Sequence, residues 1–584
     1  MPVRETIQTT AVTAATPPGY RRRWRQLDKT VFLWLLLVGV LMLLVINPLA
    51  RLLLSSVQDG DTGALTLQNY LSAYGRWRYL EALTNSLIVG FAVGVLGTVF
   101  GVPMAWAVSR TDMPGKGLVW AAILGTFIVP SYLGAVAWIL LAGPNAGWLN
   151  RAYISLTGAA AGPFNIYSMP GLVLVIASYS FPYMFVFTRS ALDLISTEME
   201  DAAHTLGAGV LRTTLRVTFP LILPAILGAF IVEFLEAIAL FGVPALIALP
   251  ARFQVMTTML WQFFEFPPKV EVAAAYAMPL LVITVLLFWL QRKIIARKGY
   301  VALTGKGGER RPLRLGKWRW PMLGYCLFVT SLSFFLPMLV ILQAAFAKAW
   351  GRGFSLDNLT LRNLRFVLFD QSATQAATIH TFLYGATASV IALVLALCIA
   401  YIVQRRLVPF GNALSFLAMA PFVIPGIVLA IGFYAAYTKP PLLLYGTAWI
   451  LILAFATRFL PIAYANSDAA IRSVNPELED AVRILGGSRL MAMRRVVAPL
   501  LKRGLAGGFI LVFIPATREL STAIFLYTTG TQVLSVLLFD KSDEGNFEIL
   551  SSIGLILVLG TVALVLAGFR LVGRDFMLRR DTAA

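Results

Sequence analysis

Ser196-Thr-Glu-Met-Glu-Asp-Ala-Ala-His-Thr-Leu-Gly207-Ala and Asn475-Pro-Glu-Leu-Glu-Asp-Ala-Val-Arg-Ile-Leu-Gly486-Gly stand in one chain of 584 residues, and each is followed after eleven residues by a Pro-Leu pair, Pro220-Leu221 and Pro499-Leu500. Ser196 and Asn475 are N-cap residues, and Pro476 suits a first helical turn. The acidic residues that follow complement the helix dipole. Gly207 and Gly486 end the helix by taking the left-handed conformation. Each stretch thus predicts a capped helix of about ten residues, roughly 15 Å long. Small residues in the middle, Ala202 and Ala203 or Ala481 and Val482, let the helix sit close in a partner's groove. The acidic pairs Glu200-Asp201 and Glu479-Asp480 are then free to meet basic groups at its rim. One copy alone reads as a linker helix; two copies with the same downstream spacing favour a docking element.

The surroundings of these stretches are apolar. Residues are 58% hydrophobic and 13% charged, with a mean hydropathy of +0.78. Soluble domains carry about 25% charged residues, so an ordinary soluble enzyme and a disordered or fibrous chain are both excluded. Apolar blocks of about 20 residues, the length a helix needs to cross a bilayer, fall near 31–54, 82–109, 118–142, 170–188, 219–240, 272–291, 320–346, 379–404, 412–436, 446–466, 504–528 and 549–569. The first follows Arg21, Arg22, Arg23 and Arg25 as a secretory signal would. Its apolar run is too long and no small-residue cleavage site follows, so an uncleaved helix is expected.

Twelve spans place both termini on one side, and Lys/Arg residues resist translocation. If the N-terminus is cytoplasmic, the cytoplasmic segments hold 34 of the 48 Lys/Arg and the outer segments 11, leaving Arg51, Arg458 and Arg518 in spans. The expected topology is N-in and C-in. The net charge of +20 is then an orientation signal, not a nucleic-acid footprint.

Aligning Pro130 with Pro425 also aligns Asn85-Ser86-Leu87 with His380-Thr381-Phe382, and Ala105-Trp106 with Ala400-Tyr401, at an offset of 295. Beyond the third span the offset is 279, which pairs Pro182 with Pro461, Glu200 with Glu479 and Pro220 with Pro499. The chain therefore reads as two parallel six-span repeats. The expected organisation is a tail 1–30, a first half 31–291 with its loop 196–220, a basic linker 292–319, a second half 320–570 with its loop 475–499, and a tail 571–584. Cys326 and Cys398 behave as small hydrophobes, and with only His204 and His380 present no histidine metal cluster is expected.

Glu-Asp-Ala-Ala-x-x-Leu-Gly-Ala with its downstream proline resembles the EAA loop of binding-protein-dependent ATP-binding-cassette importers. The resemblance implies an all-α polytopic membrane protein with twelve transmembrane helices and the type I (MetI-like) permease fold. It covers almost the whole chain; the second copy departs at Val482, and Ala498-Pro499 replaces the usual Leu-Pro. It implies that Glu200, Asp201, Ala202, Ala203 and Gly207, with Glu479, Asp480, Ala481 and Gly486, couple to an ATPase homodimer. It also implies a periplasmic substrate-binding protein and a bacterial inner-membrane location. Thr84-Asn-Ser-Leu, Gly101-Val-Pro-Met-Ala-Trp-Ala, Arg110-Thr-Asp-Met-Pro-Gly-Lys116 and Thr517-Arg-Glu-Leu-Ser-Thr522 are similar to the fused permeases of ferric iron importers. That subgroup is similar in turn to permeases for thiamine, polyamines and phosphonates.

No energy source is expected in the chain. The P-loop needs Gly-Lys followed by Ser or Thr, and Gly115-Lys116, Gly305-Lys306 and Gly316-Lys317 all lack it. ATP and magnesium are accordingly expected on the partner ATPase, and no catalytic or metal-binding residue is expected here. Charges inside spans are costly, which singles out Glu233 and Glu236, three residues apart, and Arg518 with Glu519 in the equivalent span. They read either as the polar lining of a translocation path or as ion pairs in which Arg518 answers Glu233 or Glu236. Arg458 reads as a snorkelling or structural charge. A proton-coupled secondary carrier with the same repeat is the rival class, but it has no need of a docking helix in each half. A channel is disfavoured because no filter-like run lies between spans.

Overall fold

The computed structural model describes residues 30–194, 198–265, 267–297 and 312–572. Ser196, most of the two tails and the centre of the linker lie outside them. The described residues form helices joined by loops, with only isolated β-bridges. In the first half, α1 (Val31–Ser56) and α2 (Trp77–Arg110) precede a bent pair, α3 (Lys116–Ile128) and α4 (Ser131–Ala142). Then come α5 (Met169–Leu194), the short loop helix α6 (Glu198–Thr205), α7 (Val210–Ala239) and α8 (Val270–Ile294). The second half repeats this order: α9 (Gly316–Ala345), α10 (Ser372–Gln404), the bent pair α11 (Gly411–Phe422) and α12 (Gly426–Tyr437), α13 (Ala448–Arg472), the loop helix α14 (Glu477–Ile484) and α15 (Arg489–Thr517). A short α16 (Leu534–Asp543) leads into the last span, α17 (Phe547–Gly568).

Among the described residues, ten helices are long and apolar enough to cross a bilayer singly, and the third span of each half is broken, by 104° and 110°. Pro130 and Pro425 cause the breaks. A proline lacks the N–H that a continuing helix needs and pushes the residue before it toward extended backbone; Val129 accordingly has ψ 127°, and the two prolines are themselves extended, at ψ 136° and 142°. The broken segment still carries the chain across. Arg110, at the C-terminus of α2, donates to the Leu192 carbonyl near the C-terminus of α5, so these two helices run parallel. Trp120 of α3 lies beside Phe185 and Arg189 at that same end, while Ala142, closing α4, accepts from Ile166 just before α5 begins. A helix of 26 residues separates those ends by about 39 Å. Twelve crossings in two six-span repeats result, two of them bent.

Other prolines are absorbed without a break, four of them by a widened turn. Pro48, Pro220, Pro337 and Pro499 each follow a one-turn π-helix, at Met42–Ile46, Thr214–Thr218, Ser331–Phe335 and Met493–Val497. The wider turn shifts the backbone bond to the fifth carbonyl back, as from Asn47 N–H to Met42 O, so the helix passes the proline intact. This corrects two boundaries. The fifth span starts at Val210 instead of 219, and the eleventh runs Arg489–Thr517 instead of 504–528, which leaves Arg518 and Glu519 just beyond its end.

Both loop helices lie on one face. Leu313, before α9, pairs with Thr111, after α2, so α9 starts at the loop-helix face. After α9 crosses, α10 returns to that face, where Gln404 reaches Asp468 of α13. The halves also interlock. Gly432 of α12 packs directly on Pro48 of α1, and Tyr437 donates to the Leu43 carbonyl. Reciprocally, Gly125 of α3 packs on Phe334 of α9, and Thr126 Oγ1 donates to Ser333 Oγ at 3.2 Å.

Candidate functional site

The two loop helices are eight residues long, shorter than the sequence suggests, and end alike. Gly207 and Gly486 both have φ +82°. Ala208 N–H then bonds the Ala203 carbonyl, and Gly487 N–H the Val482 carbonyl, each at 2.9 Å, closing the last turn. Asn475 Oδ1 accepts from Glu477 N–H at 3.0 Å at the start of the second copy.

The acidic pairs divide, which corrects the expectation that both members face a partner. Asp201 and Asp480 are exposed, but Glu200 and Glu479 are only 3% and 7% exposed and turn into their own chain. Glu200 Oε1 accepts from Thr218 Oγ1 of α7 at 2.7 Å, and Arg110 Nη1 lies 3.6 Å from its Oε2. Glu479 Oε2 accepts from Tyr401 Oη of α10 at 2.7 Å, and Oε1 receives Arg405 Nε and Nη2, both at 2.7 Å. A buried carboxylate needs such partners. Arg110 and Arg405 are not singled out by the motif reading, although the offset of 295 superimposes them at the ends of the second spans.

The outward surface of each loop carries large apolar side chains beside its exposed aspartate. Leu206 and Leu485 are 89% and 88% exposed, and Leu211 and Leu490, also 279 residues apart, are exposed too. Ala202 and Ala481 are exposed beside them, with Ala203 half-buried. Exposed leucines thus recur at matching sites of the two halves.

The charged residues of the spans separate into two places. Glu233 is fully buried inside the first half, where Ser180 Oγ donates to its Oε1 at 3.0 Å and Gly97 leaves it room, since a Cβ there would stand 2.0 Å from that oxygen. It forms no ion pair with Arg518. Glu236, one turn on, instead shares an electrostatic environment with Arg458, Arg518 and Glu519. All four are partly accessible at mid-depth, where the broken spans of the two halves meet. Arg518 donates to the Phe127 carbonyl of the first half's break, and its guanidinium lies 5.0 Å from the Phe127 ring centre. Arg458 donates to the Ile424 carbonyl of the second half's break at 2.6 Å, so it staples that break and does not snorkel. Glu519 Oε1 accepts from Thr522 N–H at 2.9 Å. Gly426 lets these side chains approach closely, since a Cβ there would lie 3.0 Å from Thr522 Oγ1 and 3.3 Å from both Arg458 Nε and Glu519 Oε1. The second half supplies both arginines; Tyr179 and Ala239 stand at the equivalent first-half positions. Among the described residues no group of three or more His, Cys, Asp or Glu is placed to hold a metal ion.

On the face opposite the loop helices, burial and the neighbouring Asp543 push the Asp540 carboxyl of α16 up to about 6. The native chain then binds a proton between about pH 4 and 6 that the unfolded chain does not, so stability rises as pH falls through that window. Detergent-solubilised protein should melt at a higher temperature at pH 5 than at pH 7 through this group, and Asp540→Asn should reduce the difference.

The family of binding-protein-dependent transport system inner membrane components matches residues 97–300 and 392–574, one copy in each half. The chain belongs to that family: it is a fused, two-half permease of the ATP-binding-cassette importer class, a transport subunit and not an enzyme. It is 27% identical over 538 residues to the ferric transport system permease protein FbpB of Actinobacillus pleuropneumoniae, covering 89% of this chain and 75% of that one. It is 26% identical over 233 residues to the putative 2-aminoethylphosphonate transport system permease protein PhnV of Salmonella typhi, covering 40% of this chain and 88% of that one. A solved bacterial alginate ABC transporter in complex with its alginate-bound periplasmic protein shares 16% identity with a TM-score of 0.38, over 49% of this chain and 97% of that one.

Proposed function

We propose that this chain forms the translocation path of an ATP-driven importer of ferric iron, which a periplasmic binding protein delivers to the face opposite the loop helices. The observation that carries the transport mechanism is the pair of loop helices on one face, each with the same glycine cap and exposed leucines. Each docks one subunit of an ATPase dimer that binds ATP and magnesium. Lys/Arg placement supports a cytoplasmic position for that face and for both termini. Asp201 and Asp480 meet the partner, while Glu200 and Glu479 hold the helix to its own chain. Glu236, Arg458, Arg518 and Glu519 line the path at the two broken spans; Glu233 is a packing residue of the first half. Support for iron is the 27% identity to ferric permeases over most of the chain. The 2-aminoethylphosphonate permease relative favours that substrate as the second reading.

Proteoliposomes holding the chain with its ATPase and binding protein test both levels. Uptake of labelled ferric iron that needs ATP is the expected result. ATP-dependent uptake of 2-aminoethylphosphonate in its place overturns iron alone. Uptake that follows a proton gradient without ATP overturns the importer mechanism.

A further inference from the structure

Arg110 and Arg405 lie outside the repeated loop motif, yet the fold gives them equivalent places. Each sits at the loop-helix end of the second span of its half and reaches the buried glutamate of the loop helix. Each also fastens the chain entering that helix: Arg110 Nη2 donates to the Leu192 carbonyl at 2.6 Å, and Arg405 Nη2 to the Val474 carbonyl at 3.0 Å. One guanidinium thus joins the second span, the chain leaving the fourth span and the loop helix in a single node.

We propose that Arg110 and Arg405 are positioning residues of the transport cycle, ties that make each loop helix move as one body with the second span of its half. This rests on the reading of the loop helices as ATPase docking elements. A helix of two turns has little stability alone, and a left-handed glycine follows each. Without a tie, displacement of the helix would be absorbed in its own connections. A guanidinium is suited to the task because its planar fork fixes direction as well as distance, and burial keeps the pair from being screened. The ties are unequal. The Arg405 fork contacts Glu479 twice at 2.7 Å, whereas Arg110 stands 3.6 Å from Glu200, which leans also on Thr218 of α7.

The test is substrate uptake per ATP hydrolysed, measured with the complete transporter in proteoliposomes and ferric-loaded binding protein. In Arg110→Gln/Arg405→Gln the ATPase should still copurify while uptake per ATP falls about tenfold, within the range by which residues between coupled sites alter coupling. Each single variant should show part of the fall. A merely structural pair would lower the yield of complex and leave uptake per ATP unchanged, and that result overturns the proposal. If the glutamine variants do not assemble, Arg110→Lys/Arg405→Lys keeps the charge and removes the fork. A lower ratio in that variant supports the tie, and an unchanged one overturns it. Failure of the docking reading looks different: the unaltered chain would retain no ATPase, and the tie would fall with it.

Discussion

Replacing Gly207 and Gly486 together with tryptophan abolishes uptake while the chain still inserts and folds. Both glycines have φ +82°, and no atom lies within 4 Å of a Cβ built on either. The new side chains meet nothing in their own chain, and the backbone cost is about 1–2 kcal/mol per site for an L-residue held in the left-handed region. That does not unfold twelve packed spans. The indoles project instead from the surface that carries Leu206 and Leu485, where an ATPase subunit would have to approach. Gly63 supplies the control, since it has φ +69° and open space around it but lies in the loop after α1, on the opposite face. Gly63→Trp carries the same backbone strain and should leave transport intact. Copurification of the ATPase and uptake in vesicles check the contrast; equal loss in both variants would mean that strain, not docking, is being measured.

Arg518→Ala should be the most damaging single change among the intramembrane charges. It removes a charge-assisted hydrogen bond to a carbonyl that the break at Pro130 leaves without its helical partner, and with it the stacking on Phe127. A hydrogen bond to a charged group contributes about 1.5–3 kcal/mol and a cation–π contact about 0.5–2, so a loss of about 3 kcal/mol is expected. It falls at a junction between the halves and leaves Glu236 and Glu519 with one cation fewer. The unfolding temperature should drop, and uptake should fall with it. Arg518→Lys keeps the charge but not the planar group over the ring, and should recover only part of both. An unchanged melting temperature in the alanine variant would remove the staple from the account of the closed path.

Most of the architecture is legible in the sequence because its signals are compositional and doubled. Apolar blocks of span length, Lys/Arg asymmetry and the 295 and 279 offsets need no tertiary information. The breaks are less legible, since Pro130 and Pro425 break their spans whereas Pro48, Pro220, Pro337 and Pro499 do not. A widened turn precedes each of those four, yet Pro182 and Pro461 continue their helices without one, so packing around the proline decides the outcome. The fifth and eleventh spans start earlier than their apolar blocks because a widened turn carries the helix past Pro220 and Pro499. At the loop helices, sequence gives the motif and its caps but not which acidic residue faces outward. Glu200 and Asp201 are adjacent and chemically alike, and only the positions of Arg110 and Thr218, some 90 and 18 residues away in the chain, decide the matter. Likewise Glu233 and Glu236 share a helix, yet Ser180 and Gly97 claim the first and the second-half arginines surround the other.

Those arginines carry one more implication. Because both break staples come from the second half, two copies of the first half would lack them entirely, and two copies of the second would crowd four guanidinium groups where there are now two. Only a mixed pair is electrically complete. Fusing the halves through residues 292–319 therefore acts as a stoichiometric safeguard: every chain synthesised delivers its complement at high effective concentration. Expressed as two separate polypeptides, the halves should still find each other, but yield would then depend on balanced synthesis.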